Sequence, residues 1–273
     1  MSSNLETAER LARQAAADGA TWVVTQELFA GPYFPQTQEP ANFDAAQTLP
    51  GPTYRRCCQL AADLGVVLSF SVFEQRAPGV FHNTSVVAGP DGRELARYRK
   101  AHIPDDPCFY EKYHFTPGEA EGLGTVATSE GLAAGLLICW DQWFPEAARL
   151  CALAGAEVLL YPTAIGWHDD EPANERTRQV DAWQTVQRGH AITNGVFVAA
   201  ANRVGREGAL TFWGRSFIVD PGGRVLAQGP ADGEAIVMAE LDLDQIQRQH
   251  IAWPYLRDRR VDGYAGLLKR WSR

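Results

Sequence analysis

The chain is predicted to be an α/β protein folded as a single domain over residues 1–273. Short apolar or β-branched runs alternate with stretches of helical spacing. Two stretches, 81–99 and 212–228, share one pattern: a strand, a Gly/Pro turn and a second strand. No linker-like tract divides the chain, whose length α/β folds reach as one unit. With 45% hydrophobic and 21% charged residues, a sizeable core is available.

Taken in order, Ser3 with Glu6 reads as a capping box opening a helix over 4–18, with Leu5, Ala8, Leu11, Ala12 and Ala15 on one face and Gly19 ending it. Residues 21–26 form a strand that finishes at Glu27, ahead of Gly31-Pro32 and Pro35. A helix over 52–64 leads through Gly65 into a strand over 66–73. The first hairpin pairs 81–88 with 94–99, and Lys100 closes it. Residues 101–118 are too irregular for a core element, as functional loops often are. A buried strand over 133–138 delivers Cys139, and from Pro145 the spacing turns helical. A strand over 157–161, a loop over 162–176 carrying Trp167-His168-Asp169-Asp170-Glu171, a helix over 175–191 and a strand over 196–201 follow. The second hairpin pairs a strand over 212–220 with one over 225–228, and 235–241 is expected to be a last strand.

Glu27, Lys100 and Cys139 thus each stand at a strand end, and in layered α/β folds such ends gather along one rim. Alone, each has a bland explanation: free cysteine is often a small core residue, and a strand-end Glu or Lys is usually solvated. Together they suffice for acyl transfer. A thiol needs a base to become thiolate, a role open to Glu27. Lys100 can stabilise an oxyanion, with the Trp140 backbone N–H as second donor.

These residues and the strings around them carry a resemblance. Lys100-Ala101-His102-Ile103-Pro104-Asp105-Asp106-Pro107, Tyr110-Glu111-Lys112-Tyr113, Phe115-Thr116-Pro117-Gly118 and Ile138-Cys139-Trp140-Asp141-Gln142-Trp143-Phe144-Pro145-Glu146 resemble the nitrilase, or carbon–nitrogen hydrolase, superfamily. Further matching strings at Tyr161 to Gly166, Phe212 to Gly214 and Arg257 to Asp262 extend it over nearly the whole chain. The resemblance implies a four-layer αββα sandwich of the nitrilase type, a Glu27–Lys100–Cys139 triad and a second glutamate, Glu111, aligning Lys100 and the substrate. It implies no metal or organic cofactor, and assembly into homo-oligomers, dimers or higher. Within the superfamily the strings are most similar to enzymes acting on N-carbamoylputrescine, a carbamoyl amine. Relatives begin with a strand ahead of the first helix, whereas this chain starts almost at the helix. The expectation is a sandwich lacking its first strand, through a start codon placed too far downstream or a shortened chain.

Composition narrows the partners. Lys plus Arg number 25 against 33 Asp plus Glu, a net charge of −8 without a long basic cluster, so nucleic acid is not an expected partner. No apolar stretch approaches a membrane span, so no membrane partner is expected. Five cysteines, two adjacent, form neither a disulfide framework nor a zinc pattern; a reducing cytoplasm and no metal are expected. No arginine follows Cys139 before Arg149, which favours a cationic small-molecule substrate over a carboxylate-bearing one. For its ammonium the candidates are Asp169, Asp170 and Glu171, with Trp140 also lining the site; the alternative for the acidic run is a solvated loop tip. The competing functions are hydrolysis of a β-ureido acid, an ω-amide or a nitrile, and a binding or assembly protein without turnover.

Overall fold

A computed structural model describes residues 3–271. The first half comprises α1 (Ser3–Ala17), β1 (Trp22–Val24), α2 (Pro52–Leu64), β2 (Val67–Ala77), β3 (Val80–Ala88), β4 (Glu94–Arg99) and the one-turn α3 (Glu111–His114). The second holds β5 (Val126–Ser129), β6 (Leu132–Leu136), α4 (Pro145–Leu153), β7 (Val158–Thr163), β8 (Gly166–His168) and α5 (Ala173–Asn194). It continues with β9 (Phe197–Asn202), β10 (Val204–Glu207), β11 (Leu210–Trp213), β12 (Phe217–Val219), β13 (Val225–Gln228) and α6 (Asp244–Ala252).

The αββα layers follow from alternation along the strands. One face of the first sheet, β1-β2-β3-β4, presents Leu68, Phe70, Val72, Val86 and Ala88 to Leu5 and Ala12 of α1 and Leu60 and Ala61 of α2. Their neighbours Val67 and Val87 point the other way, into a core shared with the second sheet, β13-β12-β9-β7-β6-β5, and with α4 and α5 beyond it. Gly135 lies where β6 presses on α4: a Cβ there would come within 2.7 Å of the Cys151 Cβ. Helices α2 and α5 both stop at a left-handed glycine, Gly65 and Gly195, as the αL cap requires.

The two halves repeat one pairing scheme. β1–β2 is parallel and β2–β3–β4 antiparallel; β7–β9 is parallel and β9–β12–β13 antiparallel. β7 also has a parallel neighbour, β6, on the side where β1 has none among the described residues. A cavity of about 820 Å³ lies along that open edge, lined by Trp22 and Val24, by Val158 and Leu160 of the facing sheet, and by residues 235–241. This corrects the expected last strand. Residues 235–241 run along the cavity and form no strand, because a strand needs a neighbour to take its backbone hydrogen bonds.

Three further expectations are revised. Ser3, expected as a cap, is already helical. The strand before Cys139 ends at Leu136, two residues early, although the Leu137 N–H still reaches the Leu160 carbonyl. The stretch 212–220 splits in two: positive φ at Gly214 and Arg215 turns the chain, so β11 pairs with β8 and β10 while β12 joins the large sheet.

Candidate active site

The chain ends of β1, β4 and β6 converge. Glu27 lies three residues beyond β1, Lys100 directly follows β4, and Cys139 opens a 3₁₀ turn, Cys139–Trp143, before Pro145 starts α4. Glu27 and Lys100 are 0% exposed, Glu111 1% and Cys139 5%, so the charges must satisfy one another. The Lys100 ammonium donates to Glu27 Oε1 at 2.7 Å and to Glu111 Oε2 at 2.6 Å. Glu111, expected only from the resemblance, is brought in by the one-turn α3 inside the irregular loop. Its other oxygen accepts from the Tyr33 hydroxyl at 2.8 Å.

Glu27 is held on one side and open on the other. Asn83 Nδ2 donates to the same Oε1 at 2.7 Å, and Asn83 in turn accepts from the Ser71 hydroxyl. Glu27 Oε2 is buried with no hydrogen-bond partner among the described residues. A carboxylate oxygen left unpaired beside a thiol is suited to accept its proton. The backbone is strained on both sides: Leu28 has φ +48° and Cys139 φ +41°, values L side chains rarely adopt. Arg203 fixes the first of these bends, donating to the carbonyls of Leu28 and Gly31.

Electrostatics assign resting states. Burial pushes the Cys139 thiol well above its ordinary value; Glu27 adds to this and Lys100 opposes it, so the thiol is protonated until a base acts. The Ala164 N–H points at the sulfur and favours its anion. Burial works against the Lys100 charge, but Glu111 and Glu27 more than offset it and keep the ammonium charged. Burial raises Glu111 to about 7, with Lys100 opposing and the nearby Glu27 charge adding to the rise. The Glu111 carboxyl is therefore the group of the cluster that takes up a proton near neutrality.

A cavity of about 510 Å³ opens over Cys139, with Phe109, Trp140, Trp143 and Trp213 as aromatic walls. Glu171 lines it, partly buried, its carboxylate accepting from Gln179 Nε2 at 2.5 Å and from the His168 N–H at 3.2 Å. Asp169 and Asp170 do not line it. Pairing of β8 with β11 turns Asp169 outward, where it accepts from the Thr211 hydroxyl and pairs with Arg206; Asp170 is exposed at the loop tip. Two lining charges had not been singled out. Asp106 is exposed, and among the described residues no cation pairs with it. Arg178 reaches the cavity from α5 while bonded to Glu175 at 2.8 and 2.5 Å. The absence of an arginine between Cys139 and Arg149 is therefore no guide to the substrate's charge. Among the described residues no group of three or more His, Cys, Asp or Glu side chains is placed to hold a metal, and no helix is long and apolar enough to cross a membrane.

Fold and site together define a thiol-bearing αββα scaffold with a buried Glu–Lys–Glu charge cluster. The chain belongs to the carbon–nitrogen hydrolase family, whose profile matches residues 1–250, and it is accordingly a hydrolase acting on carbon–nitrogen bonds other than peptide bonds. It is 44% identical to the N-carbamoylputrescine amidase of Solanum lycopersicum, over 98% of this chain and 90% of that one. It is 39% identical to the citrullinase of Francisella tularensis, over 99% and 96%. A carbon–nitrogen hydrolase from Helicobacter pylori G27 superposes with a TM-score of 0.95 at 43% identity, over 98% and 94%. The amidase of Nesterenkonia sp. AN1 superposes at 0.77 with 28% identity, over 98% and 90%; a mutant of it carries the acetamide moiety of fluoroacetamide on the active-site cysteine.

Proposed function

We propose that the chain hydrolyses the carbamoyl group of N-carbamoylputrescine to putrescine, carbon dioxide and ammonia through a covalent intermediate on Cys139. The observation that carries this is the buried Lys100 between Glu27 and Glu111, with the second Glu27 oxygen buried and unpartnered among the described residues. In the first half-reaction Glu27 takes the thiol proton as sulfur attacks the carbamoyl carbon. Lys100 and a backbone N–H, that of Trp140, hold the oxyanion. Glu27 then returns the proton to the departing amine, and putrescine leaves. In the second, Glu27 deprotonates water, which attacks the carbamoyl thioester; the thiol is regenerated, and the released carbamic acid breaks down to carbon dioxide and ammonia. Glu111 keeps Lys100 aligned and accompanies the substrate nitrogen.

Glu171 and Asp106 hold the distal ammonium, and the surrounding aromatic faces favour a cation. The similarity to plant N-carbamoylputrescine amidases supports this substrate. One observation favours a second reading: Arg178, released from Glu175, can take a carboxylate, which with Glu171 and Asp106 suits a ureido α-amino acid, and a citrullinase is among the relatives. The proposal includes a homo-oligomer, supported by a C-terminal stretch with no buried residue that displays Ile251, Trp253, Leu267 and Leu268. A cytoplasmic setting is supported by five free cysteines. Ammonia release with N-carbamoylputrescine, citrulline and N-carbamoyl-β-alanine in parallel tests the substrate. The highest kcat/KM is expected for N-carbamoylputrescine; a higher value for citrulline transfers the assignment to the second reading.

A further inference from the structure

Asp141 is a buried carboxylate that the proposed reaction does not use. It is fully buried and accepts four hydrogen bonds from two chain segments. Oδ2 accepts from the Ile138 N–H at 2.8 Å and the Tyr98 hydroxyl at 2.8 Å. Oδ1 accepts from the His102 N–H at 3.1 Å and lies 2.7 Å from His102 Nδ1. The same Tyr98 oxygen accepts from the Ala101 N–H at 3.2 Å. Tyr98 and His102 stand two residues either side of Lys100, while Ile138 and Asp141 flank Cys139. The His102 ring is also stacked on Phe144, the residue that follows the Cys139 turn, at 3.8 Å and 8° from parallel.

We propose that Asp141 is a positioning residue that fastens the Cys139 turn to the Lys100 segment and thereby sets the distance between thiol and ammonium. The inference rests on the reading that Cys139 and Lys100 act together. Lys100 and Cys139 come from different sheets, whose shared core is built of apolar side chains, which fix separation but not register. A carboxylate saturated by donors from both segments is directional, and moving either segment would orphan a buried charge. It also holds Cys139 at its positive φ by tying the residue before it to the residue two beyond it. Burial, reinforced by Asp141, raises Tyr98 and keeps its hydroxyl a donor.

Asp141→Asn tests this, because either orientation of the amide turns its NH₂ toward a present donor. Tyr98→Phe, which removes one bond and almost no volume, is the companion should Asp141→Asn not fold. For the folded variants, kcat on N-carbamoylputrescine is expected to fall on the order of 10²-fold for Asp141→Asn, the scale of a misplaced reacting group, and about tenfold for Tyr98→Phe, with KM little changed. The alkylation rate of Cys139 by iodoacetamide, followed on its peptide by mass spectrometry, should fall in parallel. That arm needs no carbamoyl compound, so it decides the inference even if the parent fails to turn over N-carbamoylputrescine. A lower melting temperature with parental kcat and alkylation rate would make Asp141 a structural group only and overturn the proposal.

Discussion

Replacing Lys100 by methionine separates what the ammonium does for the fold from what it does for the reaction. The side chain is 0% exposed and bonds two carboxylates that are 0% and 1% exposed, so methionine leaves both buried without a cation. Removing one partner of a buried ion pair costs about 3–5 kcal/mol. At roughly 2–4 °C per kcal/mol, the scale for chains of 150–250 residues, the melting temperature should drop by about 6–20 °C at pH 7. The loss has a sign in pH. Without Lys100 the folded-state pKa of Glu111, already raised to about 7 by burial, moves further above the unfolded value of about 4.3. Its stability contribution is then present below that unfolded value and lost as pH rises through the folded pKa. Calorimetry should therefore show the gap to the parent closing as pH falls toward about 5. Adding Glu111→Gln should recover much of the lost stability at pH 7. Turnover should not recover, because losing an oxyanion donor lowers kcat by about 10²–10³. Parental melting at pH 7, or a gap that widens on acidification, would refute the reasoning about the cluster; near-parental kcat would refute the oxyanion role.

Two further outcomes follow from the same geometry. With Glu111 raised to about 7, its protonation takes one carboxylate partner from Lys100, and kcat/KM should decline as pH falls below that point. Glu111→Gln removes the group that titrates there and should move the acidic limb to lower pH; an unmoved limb contradicts the assignment to Glu111. For the substrate tail, Glu171→Gln should raise KM for N-carbamoylputrescine about tenfold, the scale of a partly buried charged hydrogen bond. Asp106→Asn, at an exposed carboxylate, should raise it by no more than about fivefold. N-carbamoylbutylamine, which lacks the ammonium, should be insensitive to both, and equal effects on the two compounds would dismiss these partners.

What the sequence discloses is what local rules determine. Glu27, Lys100 and Cys139 stand out because each terminates a run whose period reads as a strand, and strand ends share a rim. Glu111 has no such signal: a helix of one turn, Glu111–His114, has no period, and only the resemblance singled it out. Asp169 and Glu171 belong to one acidic run, yet pairing of β8 with β11 turns Asp169 outward and leaves Glu171 at the cavity, a long-range event the run itself does not encode. Arg178 eludes a reading confined to residues near Cys139, because α5 carries it to the cavity from nearly 40 positions further along. Residues 235–241 have a strand-like composition but no strand, since pairing depends on a neighbour and not on the segment alone.

The central claim is that Cys139 carries the substrate's carbamoyl group. The direct measurement is rapid acid quenching of the enzyme during turnover of N-carbamoylputrescine, then peptide mass spectrometry of all five cysteines. One carbamoyl group on the peptide containing Cys139, absent from Cys139→Ala, is the expected result. A carbamoyl group on Cys57, Cys58, Cys108 or Cys151, or sustained ammonia release by Cys139→Ala, would contradict it.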